Sequence, residues 1–194
     1  GSPSCNAKRM RTRSLINVVD LEATCWGEGM QPADQTSDII EIGISVVDVE
    51  AARIVSTESI LVKPERSEVS AFCTQLTTLT PELVAREGIA FQEALRRLKK
   101  DYDAPARIFA SWGDYDRKAF ERQCAAMQLK LPFGPTHMNV KTLHALSRPM
   151  PVEVGMDEAL SELGMPLEGT HHRGGDDSRN IAKILLALLA KLRG

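Results

Sequence analysis

Asp20 and Glu22 stand two positions apart at the end of the largely apolar run Leu15–Val19. Such a run predicts a buried strand, on which residues two apart share a face. The two carboxylates then project together while Leu21 faces the opposite way. A carboxylate buried without a partner is costly, which leaves three ways to hold the pair: an Arg or Lys, a shared proton, or a metal ion. No Arg or Lys stands in register within the strand.

Two further acids open predicted helices. Asp116 precedes Phe120, Cys124 and Met127 by four, eight and eleven positions, and Asp177 precedes Ile181, Ile184, Leu185 and Leu188 by four, seven, eight and eleven. Each therefore heads the stripe that should face the core. The plainer reading is that both are first-turn acids favoured by the helix dipole, although such acids more often point to solvent than along the apolar stripe. Four converging carboxylates cannot all ionise without cations, and hard ions such as Mg2+ or Mn2+ prefer oxygen ligands, so a metal pair fits better than a shared proton. In His-His-Arg-Gly-Gly-Asp-Asp, His172 stands five positions before Asp177. The two glycines predict a flexible connection that lets His172 hang over whatever Asp177 binds and take a proton from a water there. His171, at a different offset, reads as a solvated loop residue.

These side chains need elements to hold them. Leu15–Asp20 reads as the first buried strand, and Thr24–Asp38, rich in Gly, Pro and small polar residues, as a loop. Two β-branched runs follow, separated by a polar turn near Glu50–Arg53, which predicts a hairpin. Thr80, Pro81 and Gly88 punctuate a helix as N-cap, first position and stop. A helix over Phe91–Lys100, a short strand in Ala106–Trp112 and a helix from Asp114 as N-cap come next. His137–Leu146 reads as a strand or turn into a helix, Gly155–Gly164 as a short helix, and Asp176–Leu192 as a long one. Strands first, then alternating helix and strand, indicate one α/β domain with a mixed sheet.

The bulk properties bound the alternatives. A chain of 194 residues, 43% hydrophobic and 26% charged, suits one ordinary globular core. A net charge of −2 and a pI near 6.1 argue against stoichiometric coating of nucleic acid but not against an enzyme that handles it in a narrow groove. The four scattered cysteines, without a C-x-x-C pair, read as free thiols in a reducing compartment, hence a cytoplasmic expectation. No apolar run approaches the ~20 residues of a membrane span, so no membrane partner is expected. Gly1–Ser2 reads as a tag remnant and residues 1–14 as a flexible basic arm ahead of a domain over 15–194.

Taken together, VVDLEAT, SWGDYDRKAF and HHRGGDDSRNIAKIL resemble the DEDDh, or DnaQ-like, 3′→5′ exonucleases of RNase H-like fold. The narrower similarity is to the branch of enhancer-of-RNAi and histone-mRNA 3′-end exoribonucleases, and it runs from about Leu15 to Leu192. IIEIG and FCTQLTTLT fit the same branch, with Thr78 where the family often has Gly. The resemblance implies that Asp20, Glu22, Asp116 and Asp177 hold two Mg2+ or Mn2+ ions and that His172 is the general base. A sister subgroup would carry Tyr one position later, where this chain has Arg173. It implies hydrolysis of single-stranded or overhanging RNA 3′ ends to nucleoside 5′-monophosphates. A DNA-directed nuclease and a dinucleotide hydrolase would use the same five residues, and a binding module without activity is the reading from another class. For substrate contact the candidates are Leu21, Ala23, Thr24, Trp26 and Tyr115 beside the acids. Trp112 reads as core, Arg173 and Lys141 as weaker phosphate candidates, and Arg96–Lys100 as a solvated helix face.

Overall fold

The computed structural model describes residues 13–194, so the expected tag remnant and most of the basic arm lie outside the described residues. Five strands form one sheet: β1 (Leu15–Ala23), β2 (Ile39–Asp48), β3 (Arg53–Leu61), β4 (Ile108–Ser111) and β5 (His137–Asn139), in the order β3-β2-β1-β4-β5. β1, β2 and β3 pair antiparallel, whereas β4 lies parallel to β1 and β5 parallel to β4. The mixed sheet expected from the order of strand and helix patterns is therefore present. The helices are α1 (Ala71–Thr77), α2 (Pro81–Glu87), α3 (Phe91–Tyr102), α4 (Tyr115–Ala126), α5 (Val140–Leu146), α6 (Met156–Glu162) and α7 (Gly174–Arg193). Among the described residues no helix is long and apolar enough to cross a membrane.

Alternation along β1 sorts the layers. Val19 and Leu21 enter a core shared with Phe91 and Leu98 of α3 and Phe120 of α4. Ile16 and Val18 enter the opposite core, with Ile181, Ile184, Leu185 and Leu188 of α7. Period two then puts Asp20 and Glu22 on the α7 side. β1 continues past Asp20 to Ala23, so both acids are strand residues rather than one strand end and one loop residue.

The long helix begins earlier than its apolar stripe suggests, and this corrects the expected flexible connection. Gly174 and Gly175 form the first turn of α7 and are buried. A Cβ built on Gly43 of β2 would lie 1.9 Å from the carbonyl carbon of Gly174 and 2.5 Å from the Gly175 nitrogen. The glycines serve close approach of helix to sheet, not freedom of motion. Ser45 and Ser178 hydroxyls, 2.9 Å apart, join the same two elements.

α1 was not expected from its sequence, because seven residues of mixed polarity carry too little periodicity. Its signals are the Ser70 N-cap, which accepts from the Cys73 N–H, and the buried pair Cys73 and Thr77 one turn apart. It ends at Thr78, with φ 66° and ψ 0°, whose N–H donates to the Thr74 carbonyl. A β-branched residue is strained in this left-handed conformation, where the family resemblance expects Gly. Thr78→Gly is therefore expected to stabilise the protein by about 1 kcal/mol, read as a higher denaturant midpoint at unchanged slope. Ala52 (φ 53°) takes the corresponding left-handed position in the β2–β3 turn.

Candidate active site

β1, the start of α4 and the start of α7 converge on a cleft of about 330 Å3 whose walls include Asp20, Glu22, Asp116, Asp177 and His172. Each acid arrives by a different local device. Asp20 and Glu22 come from the pleat of β1. Asp116 sits in the first turn of α4, 4% exposed, and accepts the Leu21 N–H at 2.9 Å, which ties α4 to the end of β1. Asp177, also 4% exposed, is carried in by the glycine-tight start of α7. Carboxylate oxygens of Asp20, Glu22 and Asp177 lie within 4.8 Å of one another.

Electrostatics make this cluster unstable as a set of bare anions. Burial, then the neighbouring carboxylates, push Asp20 well above the usual range. Burial first, then Asp177 and Glu41, push Glu22 to about 9. Burial pushes Asp116 to about 7 against the lowering effect of the Leu21 N–H. Burial also raises Asp177, opposed by His171 and the His172 N–H. Asp20 Oδ2 is buried and meets no hydrogen-bond partner among the described residues. Arg173 is committed elsewhere: its guanidinium Nη2 donates to Glu41 Oε2 at 2.9 Å. An oxygen donor set from Asp20, Glu22 and Asp177 with an orphaned oxygen fits hard divalent cations.

His172 lies in the loop before α7 at φ 66°, its N–H donating to Asp177 Oδ2 at 2.9 Å. Burial and the adjacent His171 lower its pKa, partly opposed by Asp177 and Asp157. His171 is not merely solvated, as its offset suggested. Its Nδ1 lies 3.1 Å from Asp177 Oδ1, and its ring stacks on His172 with centroids 4.0 Å apart.

The proposed substrate contacts divide. Leu21 and Tyr115 line the cleft, Tyr115 with 55% of its surface exposed. Ala23 borders a smaller adjoining depression with Tyr115 and Arg122. Thr24 is buried, its hydroxyl accepting the Asp38 N–H at 2.8 Å and bonding Ser67, so it holds the fold and lies outside the cleft wall. Trp26 is half-buried in the following loop and is likewise outside that wall. Trp112, expected in the core, both packs against the α7-side core and lines the cleft.

Sequence reasoning missed Glu41. It is fully buried, lies opposite Glu22 in the β1–β2 register, and accepts from Arg173, Ser59 and the Gly174 N–H. Arg173, a phosphate candidate by sequence, thus binds inward and joins β2 to the start of α7. The β1–β2 register that pairs Glu41 with Glu22 is set across the long loop of residues 24–38, and nothing local in the sequence gives Arg173 its inward direction. Asp157 and Met156 of α6 also reach the cleft unannounced by any motif.

This geometry has close relatives. Residues 18–185 match the family model described as Exonuclease (RNase_T). The 3′-5′ exoribonuclease 1 of Rattus norvegicus is 30% identical over 184 residues, covering 90% of this chain and 52% of the relative, so the chain spans about half the length of that protein. The nuclease domain of 3′hExo, a DEDDh family member bound to rAMP, superimposes with a TM-score of 0.80 at 28% identity, covering 92% of this chain and 93% of that one. A 3′-exonuclease structure concerned with recognition of the histone mRNA stem-loop gives a TM-score of 0.81 at 28% identity, over 92% of this chain and 64% of that one. Their RNase H-like exonuclease fold is the fold described above. The chain belongs to the exonuclease family, in its DEDDh branch, for which divalent metal ions are the implied cofactors.

Proposed function

We propose that this chain is a divalent-metal-dependent 3′→5′ exoribonuclease, releasing nucleoside 5′-monophosphates from single-stranded or overhanging RNA ends. The observation that carries the reading is the buried Asp20 Oδ2, without a partner among the described residues, in a cleft of converging carboxylates beside His172. Asp20, Glu22 and Asp177 would hold Mg2+ or Mn2+, with Asp116 reaching the same ions from α4. Bound there, two such ions would supply charge stabilisation for the phosphate and the departing 3′-oxygen. His172 would take the proton of the attacking water as its oxygen bonds to phosphorus and the P–O3′ bond breaks; the released 3′-oxygen would take a proton from solvent and leave as a hydroxyl. Tyr115 and Trp112 would flank the terminal nucleotide with aromatic surface, and Leu21 and Ala23 would lie beside it. RNA as substrate is supported by the relatives' ligands, rAMP and a histone mRNA stem-loop. The free thiols of Cys25, Cys73 and Cys124 support a reducing, cytoplasmic setting.

The test is 5′-labelled single-stranded RNA and DNA of one sequence, with Mg2+ and with EDTA. A ladder shortening from the 3′ end of RNA, erased by EDTA, is the expected result. Cleavage of DNA alone would move the protein to the DNA-directed side of the family. No cleavage of either, with Mn2+ also failing, would overturn the reading.

A further inference from the structure

We propose that His171, His172 and Asp177 form a binding site for Zn2+, and that zinc held there blocks the nuclease; the second half rests on the function proposed above. Asp177 belongs to two donor sets whose atoms each lie within 4.8 Å of one another: Asp20, Glu22 and Asp177, all oxygen, and His171, His172 and Asp177, two nitrogens and an oxygen. The sets differ in chemistry. Carboxylates suit Mg2+ and Mn2+, whereas imidazole suits zinc, and two imidazoles with one carboxylate and an open fourth position is a zinc donor set.

The backbone builds this second set. Adjacent residues in an extended segment point their side chains to opposite sides. At His172 the chain instead adopts φ 66°, a left-handed conformation unfavourable for a non-glycine residue. The left-handed residue accompanies stacked imidazoles, 4.0 Å between centroids and 25° from parallel. The bend is held by the His172 N–H on Asp177 Oδ2 and by the Arg173 N–H on the Thr170 carbonyl, 2.9 and 3.2 Å. His171 Nδ1 and Asp177 Oδ1 are already 3.1 Å apart, close to the about 3.3 Å separating two donors on tetrahedral zinc. His171 is 40% exposed, so an ion reaches the pair from solvent. Zinc seated there would occupy the nitrogen that His172 needs for a proton and would draw on Asp177 from the oxygen set.

Calorimetric titration of the whole chain with zinc chloride, in excess Mg2+, tests the site without reference to activity. One Zn2+ is expected to bind, and His171→Gln is expected to weaken it about tenfold or more, at least the loss seen when a ligand's supporting shell is removed. In RNA cleavage with Mg2+, zinc should inhibit the wild type. His171→Gln, measured against its own zinc-free rate, should need about tenfold more zinc for half-inhibition. Equal zinc affinity in the two proteins would overturn the site and assign the ion to the thiols or the acids. Tight zinc binding without inhibition would overturn the blocking role. Absence of RNA cleavage under any metal would sink the function reading, while the titration would still decide the site.

Discussion

Asp20→Asn should leave the fold intact and lower RNA cleavage by roughly a thousandfold or more, the scale of losing a group that stabilises charge in the transition state. The substitution keeps the shape and removes the charge. It should also raise stability in the absence of metal, because the buried Asp20 Oδ2 has no partner among the described residues and is repelled by Asp116, Glu22 and Asp177. An acid whose folded pKa is raised holds its proton more tightly in the native state than in the unfolded chain. Stability is then highest below the ordinary carboxylate range near about 4 and is lost as pH rises. The upper ends of that window are about 7 for Asp116 and about 9 for Glu22. In EDTA the wild-type Tm is therefore expected to fall between about pH 5 and pH 9, more steeply than that of Asp20→Asn, and Mg2+ should restore it only in the wild type. Cleavage within tenfold of wild type, or an EDTA Tm well below wild type, would show that Asp20 is not the centre of the acid set.

Gly43→Ala, a change of one methyl group, should destabilise the protein by about 3 kcal/mol or unfold it, at the upper end of what overpacking costs. The methyl would meet backbone, with the Gly174 carbonyl carbon and oxygen both 1.9 Å away, and backbone cannot rotate aside as a side chain does. Gly43 also pairs with Asp20 across β1 and β2. Relief of the clash therefore means moving the start of α7, and Asp177 with it, away from the acid on the neighbouring strand. Equilibrium denaturation measures the loss, and cleavage by whatever folded fraction remains measures the displacement. A midpoint shift of less than about 1 kcal/mol equivalent would mean that α7 tolerates a looser seat on β2.

Much of the site was legible because its parts are local. Two carboxylates two apart on an apolar run, and acids heading apolar helical stripes, are statements about period, and period survives into the fold: Asp20 and Glu22 do share the α7 face of β1, and Asp116 and Asp177 are both buried at helix starts. The hairpin and the capped helix from Thr80 were legible for the same reason.

What the sequence could not show depends on approach between segments distant along the chain. Gly174 and Gly175 looked like a flexible connection because glycine permits freedom; only the contact with Gly43 reveals that the absent side chains are used for proximity. Arg173 reads by sequence as a weak phosphate candidate, and only the fold brings it the buried Glu41, 132 residues away, as its partner. Thr24 and Trp26 stand only two and four positions past Glu22 in sequence, yet the chain turns at the end of β1 and places them outside the cleft wall. The sequence by itself determined which residues carry charge, which faces are apolar, and hence the donor types available to a metal. The tertiary structure alone decided which of those donors meet, because convergence is set by how closely α7 can lie on β2, and that distance is a property of two glycine backbones rather than of any side chain.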